Sequence, residues 1–462
     1  MKFGMGTSRI ERRKHGKSLR EKCPRSVHAE WKPRPKSVDP INWLEECDTD
    51  RIPALIPLKY QRMAESPFKF FRGAAIIQAR DLARSQVSGI IVQACGDCHL
   101  LNFGGFASPE RQLTFDINDF DETFPGPWEW DMKRLGASLV LAARDLRFSK
   151  AVADKAVRAA AASYREKISA YAEMSVLDTW YAQITIDAIK QRFRGNPAAA
   201  ARLLQVEKQA RSQSSEAVFP KLTTVVDGRL RIKDNPPVLF HPQMDAAEWE
   251  RLGAHAIKQY RDSLRQSLLM LLDRYRFVDG AVKVVGVGSV GTRCFLALFV
   301  AEDGEPLFLQ IKEARRSVLE SPRGKSRYAH QGFRVVYGQR LTQAATDIFL
   351  GWFRTPTGHD YYVRQFRDRK VSIELETFQP STLVAYATLC GWGLARAHAK
   401  VSDAATIAGY LGSNDRFDTA LATYSEAYAN QAERDFELFQ AAIRHGRLKT
   451  EPEKGVDLGF IS

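Results

Sequence analysis

Between Ala94 and Phe106 the chain reads A-C-G-D-C-H-L-L-N-F-G-G-F. Three chemistries could use these residue types at this spacing. Cys95-Gly96-Asp97-Cys98-His99 is C-x-x-C-H, the pattern that attaches a c-type haem. Cys95 and Cys98 are also half of a four-ligand zinc site. Gly96-Asp97 with Asn102 gives D-x-x-x-x-N, the spacing of a phosphoryl-transfer loop. There an aspartate orients a hydroxyl and takes its proton, and an asparagine oxygen helps to hold magnesium. A second acidic group, I-N-D-F-D-E from Ile117 to Glu122, follows one short hairpin later.

Composition separates these chemistries. The chain has 462 residues, 44% of them hydrophobic, enough for a large core and more than one domain. No apolar run reaches the roughly 18 residues that suggest a membrane span. The basic N-terminus has no apolar stretch behind it, so no secretory signal is expected. The six cysteines are scattered and make no disulfide framework, which fits a reduced, cytoplasmic protein. Covalent haem attachment takes place outside the cytoplasm, which argues against haem. No second Cys/His cluster completes a zinc site, so the thiols read as small buried side chains. The phosphoryl-transfer reading remains, with Asp97 as catalytic base and Asn102, Asp119 and Asp121 toward magnesium. Asp116 is expected to face a strand surface.

Such a site also needs a backbone cradle and a cation for phosphates. Gly286-Val287-Gly288-Ser289-Val290-Gly291 is G-x-G-x-x-G. A dinucleotide-binding turn of that form must open a helix. Here the run Arg293 to Val300 follows, a strand, and a glycine loop between antiparallel strands is the kinase arrangement. Phe308 to Lys312 then ends the next strand on a lysine. Gly286, Gly288, Ser289, Gly291 and Lys312 are therefore the candidate nucleotide-binding residues.

The segments G-D-C-H-L-L-N-F-G, F-D-I-N-D-F-D-E, V-G-V-G-S-V-G-T-R, L-Q-I-K-E-A, D-Y-Y-V-R-Q and L-A-R-A-H-A resemble the bacterial family catalogued as domain of unknown function 2252. More widely the chain resembles aminoglycoside and choline kinase-like phosphotransferases. Their catalytic loop reads H-G-D-x-H-x-x-N, here with Cys95 in place of the leading histidine. The resemblance implies ATP and magnesium, a metal aspartate at Asp119 and a structural aspartate at Asp131, twelve residues on. The order of parts departs from that family, because the catalytic loop precedes the glycine loop. The helix from Thr382 to Lys400 resembles the one that ordinarily leads into the catalytic loop. Joining the C-terminal end to the N-terminal half restores the usual order, which implies a circularly permuted, two-lobe kinase-like α+β fold. Kinases pair the strand lysine with a glutamate on the next helix, and none stands from Tyr328 to Tyr337.

The elements that must position these residues read as four parts. Residues 1–45 are a basic arm, rich in Arg and Lys from Arg9 to Lys36, read as disordered or draped. Residues 46–275 form a helical catalytic lobe containing the hairpin. A helix opens at Ser66-Pro67 and continues past Leu82, and a strand leads from Ile90 into the loop. Helices run over Asp131–Leu146, Lys150–Met174 and Asp178–Phe193, with further pieces to Gln213. Strand and loop follow from Leu222 to Phe240, then a helix from Asp245 to about Tyr275. Residues 276–380 form the nucleotide-binding sheet, with strands at Val282–Val287, Arg293–Val300, Leu307–Ile311 and Tyr361–Phe366 and a helix from Phe333 to Phe353. Residues 381–462 are helices packing back on the catalytic lobe.

The leading expectation is an ATP- and magnesium-dependent phosphotransferase with a small-molecule acceptor, because no activation-loop signature follows Asp119. Alternatives are nucleotidyl transfer or nucleotide binding alone, and a polyanion-binding protein acting through the basic arm.

Overall fold

The computed structural model describes residues 7–195, 208–210, 214–242, 244–284, 286–324, 326–366, 371 and 373–452. Helix α1 (Arg9–Ser18) starts in a capping box, with the Ser8 hydroxyl accepting from the Glu11 N–H and the Glu11 carboxylate accepting from the Ser8 N–H. The basic arm is therefore not a disordered tail over its described part. Its cations have partners that lie far along the chain. Arg9 and Arg13 reach Glu173, and Arg12 reaches Asp403. Arg34 forks between two buried carboxylates, donating to Asp81 at 2.7 Å and to Asp435 at 2.6 and 2.8 Å. No local pattern discloses such partners, which is why the arm reads as solvated.

Four short helices follow: α2 (Pro40–Asp48), α3 (Ile56–Met63), α4 (Pro67–Gly73) and α5 (Ala75–Leu82). Ser66 caps α4 with Pro67 at its first position, as the sequence suggests. The single helix expected there breaks after Gly73, where Ala74 leaves the helical region at φ −119°. Strand β1 (Ile91–Ala94) pairs antiparallel with β4 (Phe124–Pro127), and between them β2 (Phe103–Ala107) and β3 (Leu113–Ile117) form the expected hairpin.

Helices α6 (Trp128–Asp145) and α7 (Lys150–Tyr171) are close to their expected spans. The next expected helix is split into α8 (Val176–Tyr181) and α9 (Ile186–Arg192). Strand β3 captures the backbone between them: Phe115 N–H donates to Ile184 O at 2.9 Å, and Thr114 bridges Thr185. The helical pieces read further toward Gln213 fall largely outside the described residues. Helix α10 (Ser215–Leu222) precedes the ribbon β5 (Thr223–Val226) and β6 (Arg229–Ile232), then β7 (Leu239–Phe240). The long helix expected to Tyr275 is α11 (Ala246–Asp262) and α12 (Gln266–Leu272), broken where the Ser263 hydroxyl accepts from Trp352 N–H at 2.9 Å.

The remaining strands are β8 (Tyr275–Lys283), β9 (Cys294–Ala301), β10 (Pro306–Glu313), β11 (Gly351–Arg354) and β12 (Asp360–Gln365). They form one antiparallel sheet with β7 in the order β11-β12-β10-β9-β8-β7. Strand β8 starts well before the apolar run expected at Val282. Pairing with β9 from Tyr275 to Val282, across a bulge near Phe277, overrides its polar composition. Side chains alternate across the sheet, Leu307 and Leu309 entering one small core while Phe308, Leu296 and Leu298 enter another.

A short turn of helix, α13 (Glu320–Arg323), precedes α14 (Gln331–Thr342). The expectation of helix to Phe353 fails at Thr342. There Lys400 donates to Gln343 O at 2.5 Å, and Asp116 accepts from Ala344 N–H at 3.0 Å, drawing the chain off the helical path. Asp116 thus faces α14 and Arg396 rather than a strand surface. Helices α15 (Pro380–Val401), α16 (Ala404–Leu411) and α17 (Arg416–Arg444) complete the fold. They return to the first half of the chain: Arg144 of α6 grips Glu426 and Glu433, and Arg165 of α7 grips Asp418. Helix α1 crosses α16 where Gly16 and Gly409 face each other. A Cβ there would lie 2.0 Å from Thr406 O and 2.2 Å from Arg13 O.

Arg34→Ala leaves Asp81 and Asp435 buried without their counter-ion and is expected to cost about 3–5 kcal/mol in urea unfolding. His28 gives a pH signature. It is fully buried, and burial, reinforced by Lys133, pushes its imidazole down to about 3. The folded protein keeps it neutral while the unfolded chain protonates near pH 6.5, so this contribution is whole above that pH and lost as pH falls toward 3. Wild type should lose about 1.4 kcal/mol per pH unit more than His28→Gln between those limits.

Candidate functional site

The loop after β1 is fixed by a buried carboxylate. Asp131, in the first turn of α6, accepts from Cys95 N–H at 2.7 Å and Gly96 N–H at 3.0 Å. His398 of α15 lies 3.2 Å away at its Nε2, and its Nδ1 faces the Tyr164 hydroxyl at 2.8 Å. Gly96 turns the chain at φ 87°, and a Cβ on it would sit 2.2 Å from Glu122 O, so only glycine fits. The turn presents Asp97. Arg134, one turn along from Asp131 on α6, holds the Asp97 Oδ1 through its Nε at 2.8 Å and its Nη2 at 2.7 Å. Arg134 also donates to Phe71 O and Gln78 Oε1 and lies over the Phe71 ring, which fixes its plane. Asn102 donates its amide to Asp97 O at 2.6 Å, which leaves its carbonyl oxygen as the acceptor end. His99 is buried 3.7 Å from Asp97; burial outweighs the pull of that carboxylate and drives the imidazole down to about 3.

The sulfurs face inward. Burial pushes the Cys98 thiol well up. A hydrogen bond with Cys98 pulls the Cys95 thiol down, but burial and nearby carboxylates outweigh it and raise it to about 11. Both stay protonated and pack as small buried side chains.

The hairpin exit supplies the other acids. Asp119 Oδ1 accepts from Asp121 N–H at 3.2 Å. Asp121 is engaged at both oxygens, Oδ2 by Lys312 Nζ at 2.6 Å and Oδ1 by the Tyr362 hydroxyl at 2.6 Å. This makes it the counter-ion of the strand lysine, while its carboxylate still lines the pocket. Burial lowers the Lys312 ammonium, but Asp119 and Asp121 outweigh burial and hold it charged, well above its ordinary value. Helix α14, where a kinase-like pattern would put the lysine's glutamate, carries Arg334. That guanidinium is fully buried and donates to the carbonyls of Thr123, Asp121 and Arg315 at 2.7–2.8 Å. It shapes the backbone that presents Asp121. Glu122 is half-buried, pushed up by burial although it accepts from Val318 N–H.

The glycine loop closes the site from the sheet. Gly286 and Gly291 have φ of 67° and 86°. Arg62 donates to Gly286 O and Arg51 to Val290 O, both at 2.6 Å, so α3 and the segment before it hold the loop at both ends. Asp97, Asn102, Asp119, Asp121, Gly286, Gly288 and Ser289 all line one pocket of about 100 Å³. Gly291 stands outside the lining, against Arg51, and Lys312 reaches the site through Asp121. Sequence reading missed Arg72, which lines the same pocket from the last turn of α4. Its Nε is buried without a hydrogen-bond partner; burial lowers its pKa, against the pull of Asp97 and Asp119. Nothing local marks Arg72. Arg134 had a signal, three residues from Asp131 on one helix face.

Asn102 and Asp119 could hold magnesium, which takes one or two carboxylates and completes its shell with phosphates and water. Among the described residues no group of three or more His, Cys, Asp or Glu is arranged to hold a metal by itself. No helix of the described residues is long and apolar enough to cross a membrane.

Fold and site together define an α+β protein in which an acidic hairpin and a glycine loop from distant parts of the chain share one pocket. The chain belongs to the family described as "Uncharacterized protein conserved in bacteria (DUF2252)", whose match spans residues 51–442. No curated protein and no solved structure matches it.

Asp131→Asn keeps the volume but leaves one acceptor for two loop N–H groups and turns an amide toward them. It should lower stability by about 2–4 kcal/mol in urea unfolding, with exchange protection lost first at Cys95 and Gly96.

Proposed function

We propose that this protein is an ATP- and magnesium-dependent phosphotransferase acting on the hydroxyl of a small molecule, built on a circularly permuted kinase-like fold. One observation carries the reading: residues 97–122 and the loop at 286–291, remote in sequence, line a single pocket with Lys312 bonded to Asp121. The order β8, glycine loop, β9, β10 with its lysine, α14, β11, β12, then α15 is also the order of parts in a kinase's nucleotide-binding half.

In this reading Asp97, held by Arg134, orients the acceptor hydroxyl and accepts its proton. Asn102 and Asp119 would hold magnesium, which when bound neutralises charge on the nucleotide phosphates. The N–H groups of the Gly286–Gly291 loop cradle those phosphates, and Lys312 and Arg72 bring positive charge to a pocket otherwise lined by acids. At about 100 Å³ the pocket is smaller than the ~300 Å³ lower end of ligand sites, so nucleotide entry requires the loop to lift from Arg62. A second reading, transfer of a nucleotidyl group, draws on the departure at Lys312, whose acid comes from the hairpin while α14 brings an arginine. Label from the γ-phosphate of ATP enters the product in the first case and label from the α-phosphate in the second.

Calorimetry with magnesium and a non-hydrolysable ATP analogue tests the site. Asp97→Asn should bind the analogue nearly as wild type does while turnover falls about 100-fold or more. Asp119→Ala and Lys312→Ala should weaken analogue binding by about tenfold or more. Equal binding by all three variants would put the nucleotide elsewhere.

A further inference from the structure

A second concave site lies on the helical lobe and shares no residue with the pocket above. It is a groove of about 550 Å³ between the segment 20–29 and the start of α17. Three guanidinium groups line it, those of Arg20, Arg25 and Arg416, with hydroxyls from Ser26 and Thr419. Asp415 is the single acid in the lining.

The arrangement is built rather than incidental. Arg25 is only 8% exposed. Its Nη1 donates to Leu411 O and to Asn414 Oδ1, while Arg20 donates from Nε to Tyr410 O at 2.8 Å and from Nη2 to Gly409 O at 2.5 Å. Both thus cap the C-terminal carbonyls of α16. Gly412 makes room for them: at φ 70°, a Cβ there would lie 2.6 Å from Arg20 Nη2 and 3.1 Å from Arg25 Nη1. Helix capping uses part of each fork, since a guanidinium carries five N–H donors. Arg416 is exposed and, among the described residues, its side chain has no hydrogen-bond or ion-pair partner. Burial lowers Arg20 and Arg25, and the charge of Arg416 adds to the strain on both. Three like charges converge with Asp415 in the lining and Asp418 attracting Arg25, and the first turn of α17 adds its own positive end.

We propose that this groove binds a small phosphate-bearing anion, gripped by Arg416, Arg20 and Arg25 and oriented by the hydroxyls of Ser26 and Thr419. Planar forks matched to tetrahedral oxyanions favour phosphate, and the volume suits a phosphorylated small molecule. An open groove with three cations in its lining is too short a track for a nucleic-acid backbone, which needs a longer basic stripe.

The test is calorimetric titration of the full chain with inorganic pyrophosphate. Wild type should show saturable binding. Arg416→Glu should weaken it about tenfold or more, and Lys312→Ala, in the other pocket, should leave it unchanged. Thr423→Glu, an exposed position in the same lining, provides a second variant with the same expected loss. Thermal unfolding checks that each variant is folded. Absence of saturable binding overturns the proposal, as does binding that survives both groove variants or that disappears with Lys312→Ala. Binding of an RNA homopolymer without binding of pyrophosphate overturns it as well.

Discussion

The ion pair between Lys312 and Asp121 joins the two halves of this molecule. Lys312 ends a strand in the middle of a six-stranded sheet, and Asp121 leaves a hairpin packed on the helical core. Taking the Lys312 ammonium out of water is costly, and Asp121, whose side chain keeps 27% of its surface exposed at the pocket, offsets that cost. The Tyr362 hydroxyl takes the second carboxylate oxygen, and Arg334 takes the backbone carbonyl of the same residue. Both carboxylate oxygens of Asp121 are thereby engaged from the sheet and its carbonyl from α14. The position of Asp119, two residues earlier, follows from it.

Arginine is the recurring instrument of this fold. Arg34, Arg134, Arg334 and Arg396 are buried or nearly so, each donating to carboxylates or backbone carbonyls from elements remote in sequence. A planar fork with five donors in fixed directions can satisfy more acceptors at once than the three donors of a lysine. These buried guanidiniums tie loops and helix ends together, and four arginines of the arm, Arg9, Arg12, Arg13 and Arg34, are engaged with Glu173, Asp403, Asp81 and Asp435.

What the sequence disclosed was local. The spacing of Asp97 and Asn102, the hairpin between them and the I-N-D-F-D-E group, and the glycine loop between strands depend on near neighbours, and the structure has them. Helix ends were misjudged where a side chain from elsewhere seizes the backbone, as Lys400 and Asp116 do after Thr342 and as β3 does at Ile184. The acid for Lys312 was sought on the following helix and lies instead on the hairpin, 191 residues away. No window on the sequence spans that distance. Arg72 escaped for the same reason, since its significance comes entirely from what the fold brings in front of it.

The crossing of Gly16 with Gly409 has a consequence for the order of synthesis. Helix α1 docks in a groove that is complete only once α16 has emerged, Arg12 and Asp403 being 391 residues apart. Until then Arg9 and Arg13 can meet Glu173, but Gly16 has no helix to pack against and Arg12 has no Asp403. Closure of the helical lobe waits for α16, and contacts of such long sequence separation belong to a topology associated with slow folding. A nascent chain stalled before residue 404 would hold the acidic hairpin and the sheet while its N-terminal helix remained undocked.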